Sequence, residues 1–341
     1  MPADPERRNM RWSRIAGVGS YVPSRVVTNR DLEAVMDTTD AWIRERSGIR
    51  ERRFAADGQG STEMGVEAAR AALADAGWEP GDVQFILFAT LSPDMFFPGD
   101  GVLLQKALGM GTIGAMDVRN QCTGFIYALS AADAYIRTGM FDRVLVVGAE
   151  VHSSGLVLTT EGRDTAVLFG DGGGAVCVEA APPDSPSRIV RHALHADGNF
   201  AGELCVPRPS AAARPWITPG MIERGETAPR MNGREVFRNA VVRFPEVILE
   251  VLAAEGLAPG DLALVVPHQA NLRITEAVRK RLGLPEEKVF SNIEKYGNTT
   301  AASIPIALRE ARDEGRIRRG DWVCLAAFGS GFTWGATLLR Y

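Results

Sequence analysis

A chain that repeats itself must fold as two like units, and this one repeats. "ALADAGWEPGDVQFILFAT" (72–90) aligns with "VLAAEGLAPGDLALVVPHQ" (251–269), both reading as helix, glycine, Pro-Gly-Asp and strand. The offset is 179 residues, from Gly77 to Gly256, and the same frame lays "DRVLVVG" at Asp142 onto "DWVCLAA" at Asp321. One frame holding over two separated segments points to an internal duplication. Short apolar runs such as "FILFAT", "VLVVGAEV" and "VCLAAF" alternate with Ala-rich helical stretches, the rhythm of an α/β protein whose strands are covered on both faces. The frame also carries Cys122 onto Ala301, so each half starts a buried helix near one pseudo-twofold axis. The Pro-rich "EAAPPDSPSR" (179–188) reads as a linker or crossover, and the irregular 208–230 segment is long enough to expect a functional role.

Composition removes several classes. A net charge of −4 lacks the basic excess of a dedicated nucleic-acid binder. The charged start carries no apolar leader, and no run reaches the roughly 18 apolar residues of a membrane span. The expectation is a cytoplasmic protein without membrane contact, its first ten or so residues lacking order. Cys122, Cys177, Cys205 and Cys324 show no C-x-x-C spacing, so free thiols and no metal site are expected. "GMGTIG" (109–114) runs from helix to strand, the reverse of a dinucleotide site, and is read as a turn.

Cys122 stands apart from the other thiols. Phe125, Leu129, Ala132 and Ile136 follow it at helical spacing, placing it at the N-terminus of a buried helix, where unpaired N–H groups and the helix dipole favour a thiolate. Packing is the alternative, and the reading preferred for Cys177 and Cys324 inside apolar strands. His268 ends the strand "LALVVPH", a position that delivers functional side chains in α/β folds or simply buries a structural histidine. Asn298 follows a glycine at a helix start, as a functional amide or a cap. The Gly-Ser-Gly turn at 329–331 is either a plain turn or a set of N–H donors for an oxyanion.

Cys122, "PHQANLRI", "YGNTTAASIP" and "FGSGFTWGA", in this order, resemble β-ketoacyl-acyl carrier protein synthase III of the thiolase superfamily, and "VVTNRDLEAVMDTTDAWIRERSGIRERR" extends the resemblance over about residues 12–341. The resemblance implies an αβαβα five-layer fold built from two duplicated halves, 12–180 and 188–341, and a homodimer. It implies a Cys122–His268–Asn298 triad, with the backbone N–H groups of Cys122 and Ser330 as oxyanion hole. The reaction implied is decarboxylative condensation of an acyl-CoA with a malonyl-acyl carrier protein through an acyl-Cys122 intermediate. No cofactor is required; neutral His268, through Nε2–H, and the Asn298 amide would steady the enolate. Thr38, Trp42, Arg46 and Arg163 match the CoA entrance, and Phe97 matches a residue closing the acyl pocket across the dimer. Arg273, Arg279, Lys280 and Arg281 form a basic helix suited to an acidic carrier protein.

Where "RNQCTGF", "LSPDMFFPGDG" and 208–230 depart from the housekeeping pattern, the starter is left open among acetyl, medium-chain, branched and specialised acyl groups. Among alternatives, a thiolase would place a second cysteine near the last glycine turn, which reads "FGSG", and a hydroxymethylglutaryl-CoA synthase-like enzyme would need a catalytic carboxylate. An acyltransferase of the same fold would release no CO₂. A non-catalytic partner subunit would lack Cys122.

Overall fold

The computed structural model describes residues 11–341; the expectation of an unordered start lies outside them. In the first half, β1 (Ser13–Tyr21), β2 (Phe85–Ala89), β3 (Gly114–Val118), β4 (Arg143–Glu150) and β5 (Gly172–Ala180) form one sheet in the order β1-β5-β4-β2-β3. In the second, β6 (Arg188–Ala196), β7 (Leu264–Pro267), β8 (Trp322–Gly329) and β9 (Thr333–Arg340) form another in the order β7-β8-β9-β6. Strand directions repeat: β2 and β4 run parallel as β7 and β8 do, and the next two pairings in each sheet are antiparallel. The place that β3 takes beside β2 is reduced in the second half to a single parallel bridge from Val265 to Val289. The Pro-rich 179–188 stretch is the crossover from β5 into β6.

The frame seen in the sequence is kept residue by residue. β2 and β7 start at Phe85 and Leu264, β4 and β8 at Arg143 and Trp322, all pairs 179 apart. Val144 and Val146 face the same inner core as Val323 and Leu325, while Leu145 and Val147 face one outer layer and Cys324 and Ala326 the other. This alternation on doubly covered strands is what the uninterrupted apolar runs required.

Helices complete the layers. α1 (Ser61–Ala76) and α2 (Asp100–Ala107) cover the outer face of the first sheet, and α4 (Gly233–Ala253) with α5 (Leu272–Leu282) covers that of the second. Between the sheets lie α3 (Gly124–Arg137) and α6 (Ser303–Asp313), whose buried faces, Phe125, Leu129, Ala132 and Ile304, Leu308, Ala311, join both sheets in one core. Each middle helix is entered through a tight turn, Gln121–Thr123 and Thr300–Ala302, again 179 apart. Both turns begin on a non-glycine residue with positive φ, 44° at Gln121 and 48° at Thr300. No helix among the described residues is long and apolar enough to cross a membrane.

The two entry turns approach strand backbone closely. A Cβ on Gly148 of β4 would lie 2.4 Å from the Ala301 carbonyl oxygen, a contact that backbone cannot relieve by turning a side chain. Gly148→Ala is therefore expected to lose about 1–3 kcal/mol in urea unfolding. Gly155→Ala, where a Cβ meets nothing within 4 Å, should change stability by less than about 0.5 kcal/mol.

Candidate active site

Cys122 sits in the turn entering α3 and is 7% exposed. Gly329, at the end of β8, packs directly on it: a Cβ there would come 2.5 Å from Cys122 Cβ. The backbone N–H groups of Ser330 and of Cys122 itself act to lower the thiol's pKa. Their effect is outweighed by burial, with the nearby Glu150 charge adding to it, and the thiol is pushed up to about 12. Burial thus opposes the thiolate that the helix terminus favours, because a buried anion loses its hydration. Glu150, which the sequence reading passed over, is fully buried and itself pushed up to about 7 by burial, while accepting hydrogen bonds from Ser92 Oγ (2.6 Å) and Thr90 Oγ1 (3.2 Å).

His268 leaves the end of β7 at 1% exposure. Its Nδ1 is 2.6 Å from Ser303 Oγ, and Ser303 Oγ–H donates to the Thr300 carbonyl at 2.9 Å. A hydroxyl has one proton to give, so the ring hydrogen sits on Nδ1 when Ser303 donates to the carbonyl and on Nε2 when it donates to the shorter Nδ1 contact. Nε2 is buried without a hydrogen-bond partner among the described residues. Burial, then the facing His152, push His268 down to about 3, so the ring is neutral at pH 7.

Asn298 follows Gly297, whose φ of 64° turns the chain, and pairs with Phe169 in an isolated bridge. Its Oδ1 accepts from Thr300 N–H at 2.9 Å. Cap and functional amide are therefore one arrangement: the carbonyl caps the turn, and Nδ2 has no partner among the described residues. Cys122, His268 and Asn298 line a single cavity of about 2270 Å³, and His152 and Thr300 share its wall. His152 was also missed; it follows the end of a buried strand just as His268 does, and the same strand-end logic would have found it.

The outer residues divide. Trp42 and Arg46, on the helix Asp40–Ser47, line the cavity. The Arg46 and Arg163 guanidiniums lie 4.6 and 4.9 Å from the Trp42 ring centroid. Arg163 is held by the Asp37 carbonyl at 2.6 Å, and Thr38 Oγ1 is buried without a partner among the described residues; neither residue is part of the cavity wall. Phe97 is 76% exposed and outside the cavity, whereas the neighbouring Phe96 lines it and packs on Trp216 at 5.2 Å. The Ser330 hydroxyl is drawn away into a bond with the Leu204 carbonyl, leaving its N–H for the site. On α5, Arg273, Lys280 and Arg281 are exposed, whereas Arg279 donates from Nε and Nη2 to Glu276 (3.1 and 2.7 Å) and from Nη1 to the Leu284 carbonyl (3.0 Å), which ties its fork to its own helix end. Arg234, on α4, joins Arg273 in the cavity wall. Among the described residues no cluster of side chains suits a metal ion.

Comparison with known proteins agrees over nearly the whole chain. The family model described as 3-oxoacyl-[acyl-carrier-protein (ACP)] synthase III matches residues 116–198, and its C-terminal counterpart matches 252–341. A β-ketoacyl-[acyl-carrier-protein] synthase III of Xanthomonas campestris is 45% identical over 330 residues, covering 97% of this chain and 98% of its own. The crystal structure of 3-oxoacyl-[acyl-carrier-protein] synthase III from Aquifex aeolicus superposes with a TM-score of 0.88 at 43% identity, over 96% of this chain and 100% of that one. The priming β-ketosynthase of a polyketide biosynthetic pathway gives 0.87 at 34% identity, over 97% and 96%.

Burial raises the Cys122 thiol, so it is expected to be mostly protonated at pH 7, and alkylation follows the ionised fraction. Iodoacetamide labelling of Cys122, mapped by peptide mass spectrometry, should rise about tenfold per pH unit from pH 7 to 10 without levelling off. A plateau reached below pH 8 would show a thiolate in the free protein.

Proposed function

The chain belongs to the 3-oxoacyl-[acyl-carrier-protein] synthase III family, and from that membership we propose that Cys122, His268 and Asn298 carry its chemistry. The enzyme condenses an acyl-CoA with malonyl-acyl carrier protein, releasing CO₂ and CoA, in fatty acid biosynthesis. The observation that carries the residue assignment is the hydrogen-bond chain behind His268 and Asn298, which leaves a bare Nε2 and a free Nδ2 in the cavity that holds Cys122.

Each step follows from those atoms. As Sγ attacks the acyl thioester, the carbonyl oxygen takes the N–H groups of Cys122 and Ser330. The C–S bond to CoA breaks, and the thiol proton passes to the departing CoA sulfur, so that CoA leaves as a thiol. The malonyl thioester then loses CO₂, and its enolate oxygen accepts hydrogen bonds from Asn298 Nδ2 and from His268 Nε2–H. The enolate carbon attacks the acyl carbonyl, the bond to Sγ breaks, and the Cys122 thiolate takes a proton from water. Neutral resting partners suit this cycle, since charge appears only once the substrate excludes water.

The halves 12–180 and 188–341 act as complementary units, the first supplying Cys122 and the second His268 and Asn298. The stacked Trp42, Arg46 and Arg163 form the CoA entrance with Thr38 beside them. The carrier protein docks on Arg273, Lys280 and Arg281. A homodimer is supported by β3, which pairs on one edge only, and by Met116 and Phe97 left exposed near that edge, Phe97 reaching into the other copy's acyl pocket. The cytoplasm supplies both substrates and is the compartment we assign.

Two measurements test this. Asn298→Asp should accept an acyl group on Cys122 yet release at least tenfold less CO₂ from malonyl-carrier protein, because a carboxylate repels the enolate; Cys122→Ala should form no acyl adduct by intact-mass spectrometry. A normal condensation rate in the first, or a full adduct in the second, removes the assignment. For docking, Arg273→Glu with Arg281→Glu should raise KM for malonyl-carrier protein strongly while acylation by acyl-CoA changes little, and the wild-type KM should climb with salt. Equal losses with both substrates would mean general damage instead.

A further inference from the structure

His152 has no part in the steps above, yet it stands in the same cavity wall, two residues beyond β4. Its Nε2 lies 2.7 Å from Thr300 Oγ1, and its ring packs on Phe169 with centroids 4.7 Å apart. Its own backbone N–H is fixed at 2.7 Å by Asp171, a buried carboxylate that also takes the Ser153 N–H. The imidazole is thus held at its root and aimed at one hydroxyl.

That hydroxyl belongs to the residue on which the triad's second half converges. Thr300 N–H donates to Asn298 Oδ1 at 2.9 Å, and the Thr300 carbonyl lies 2.9 Å from Ser303 Oγ, which shares a hydrogen bond with His268 Nδ1 at 2.6 Å. Thr300 does so at φ 48°, a left-handed conformation that a β-branched residue adopts only where its surroundings hold it. Among the described residues, His152 is the only partner of the Thr300 hydroxyl. A residue in that conformation with its side chain unpinned would relax, and both triad contacts would move with it.

We propose that His152 is a positioning residue for the decarboxylating half of the reaction, pinning Thr300 so that Asn298 Nδ2 and His268 Nε2 stay aimed at the enolate oxygen. The inference rests on the roles given to Asn298 and His268 above. Burial keeps His152 neutral by pushing it down to about 4 against the pull of Asp171, so it adds no resting charge beside His268. Nothing in the linkage touches Cys122 Sγ, so acyl transfer onto the thiol should be spared.

His152→Phe keeps a ring against Phe169 and deletes Nε2; Thr300→Val keeps the branched shape and deletes the hydroxyl. In each purified full-length variant, acyl-Cys122 formation from acyl-CoA is expected to stay within about twofold of wild type, while CO₂ release from malonyl-carrier protein falls about 10- to 100-fold, as displacement of orienting groups by up to an ångström implies. The double variant should be no worse than either single one, because both cut the same bond. His152→Gln, which restores an amide toward Thr300, should recover part of the rate, and it carries the test if His152→Phe unfolds. Acylation and decarboxylation falling together, neither falling, or losses that multiply in the double variant would each overturn the proposal. Failure of the wild-type protein to form an acyl-enzyme would instead strike the triad assignment.

Discussion

Everything at this site depends on the packing of α3 against α6 between two sheets. These helices form the layer that both sheets pack on, and their entry turns meet where the halves meet. Gln121 and Thr300 turn left-handed at matching positions, and Gly148 and Gly329 let strand backbone close on Ala301 and Cys122. The fold spends backbone strain and side-chain volume at the same point in each half. What it gains is a cysteine, a histidine and an asparagine delivered from different elements into one cavity.

Burial governs the electrostatics that follow. A thiol pushed up to about 12 and an imidazole pushed down to about 3 rest as a neutral pair. An exposed cysteine at a helix start would behave differently, since water would pay for the charge that the N–H groups only partly solvate here. The neutral pair also explains why so much of the surrounding polarity is backbone N–H and hydroxyl, which respond to charge without adding any.

The sequence was most legible where packing alone decides. The 179-residue frame, doubly covered strands and packing roles of Cys177 and Cys324 all follow from apolar periodicity, which the inner and outer faces of β4 and β8 reproduce. Cys122, His268 and Asn298 were legible through position at helix and strand ends. What stayed hidden depends on geometry that no local pattern encodes. The partner of His268 Nδ1 is a serine 35 residues away. Arg279 looks like its neighbours until Glu276 claims its fork, and Phe96 rather than Phe97 faces the cavity of its own chain. The left-handed Thr300 could not be anticipated, because nothing but surrounding contacts makes threonine adopt it.

The duplication gives one site rather than two, and the reason is local. Moved by 179 residues, Cys122 becomes Ala301, His268 becomes Ala89 and Asn298 becomes Arg119. Ala301 is 1% exposed and its carbonyl abuts Gly148, while Ala89 is fully buried with its Cβ 3.1 Å from where one on Gly124 would stand. Neither position has room for a functional side chain without parting the two entry turns. Small residues at these two positions are therefore what lets the turns close, and closure is what brings the nucleophile of one half against the hydrogen-bond donors of the other. A second, symmetric set of groups would have to occupy the space through which the first set is held, so the same contact that makes this site excludes its twin.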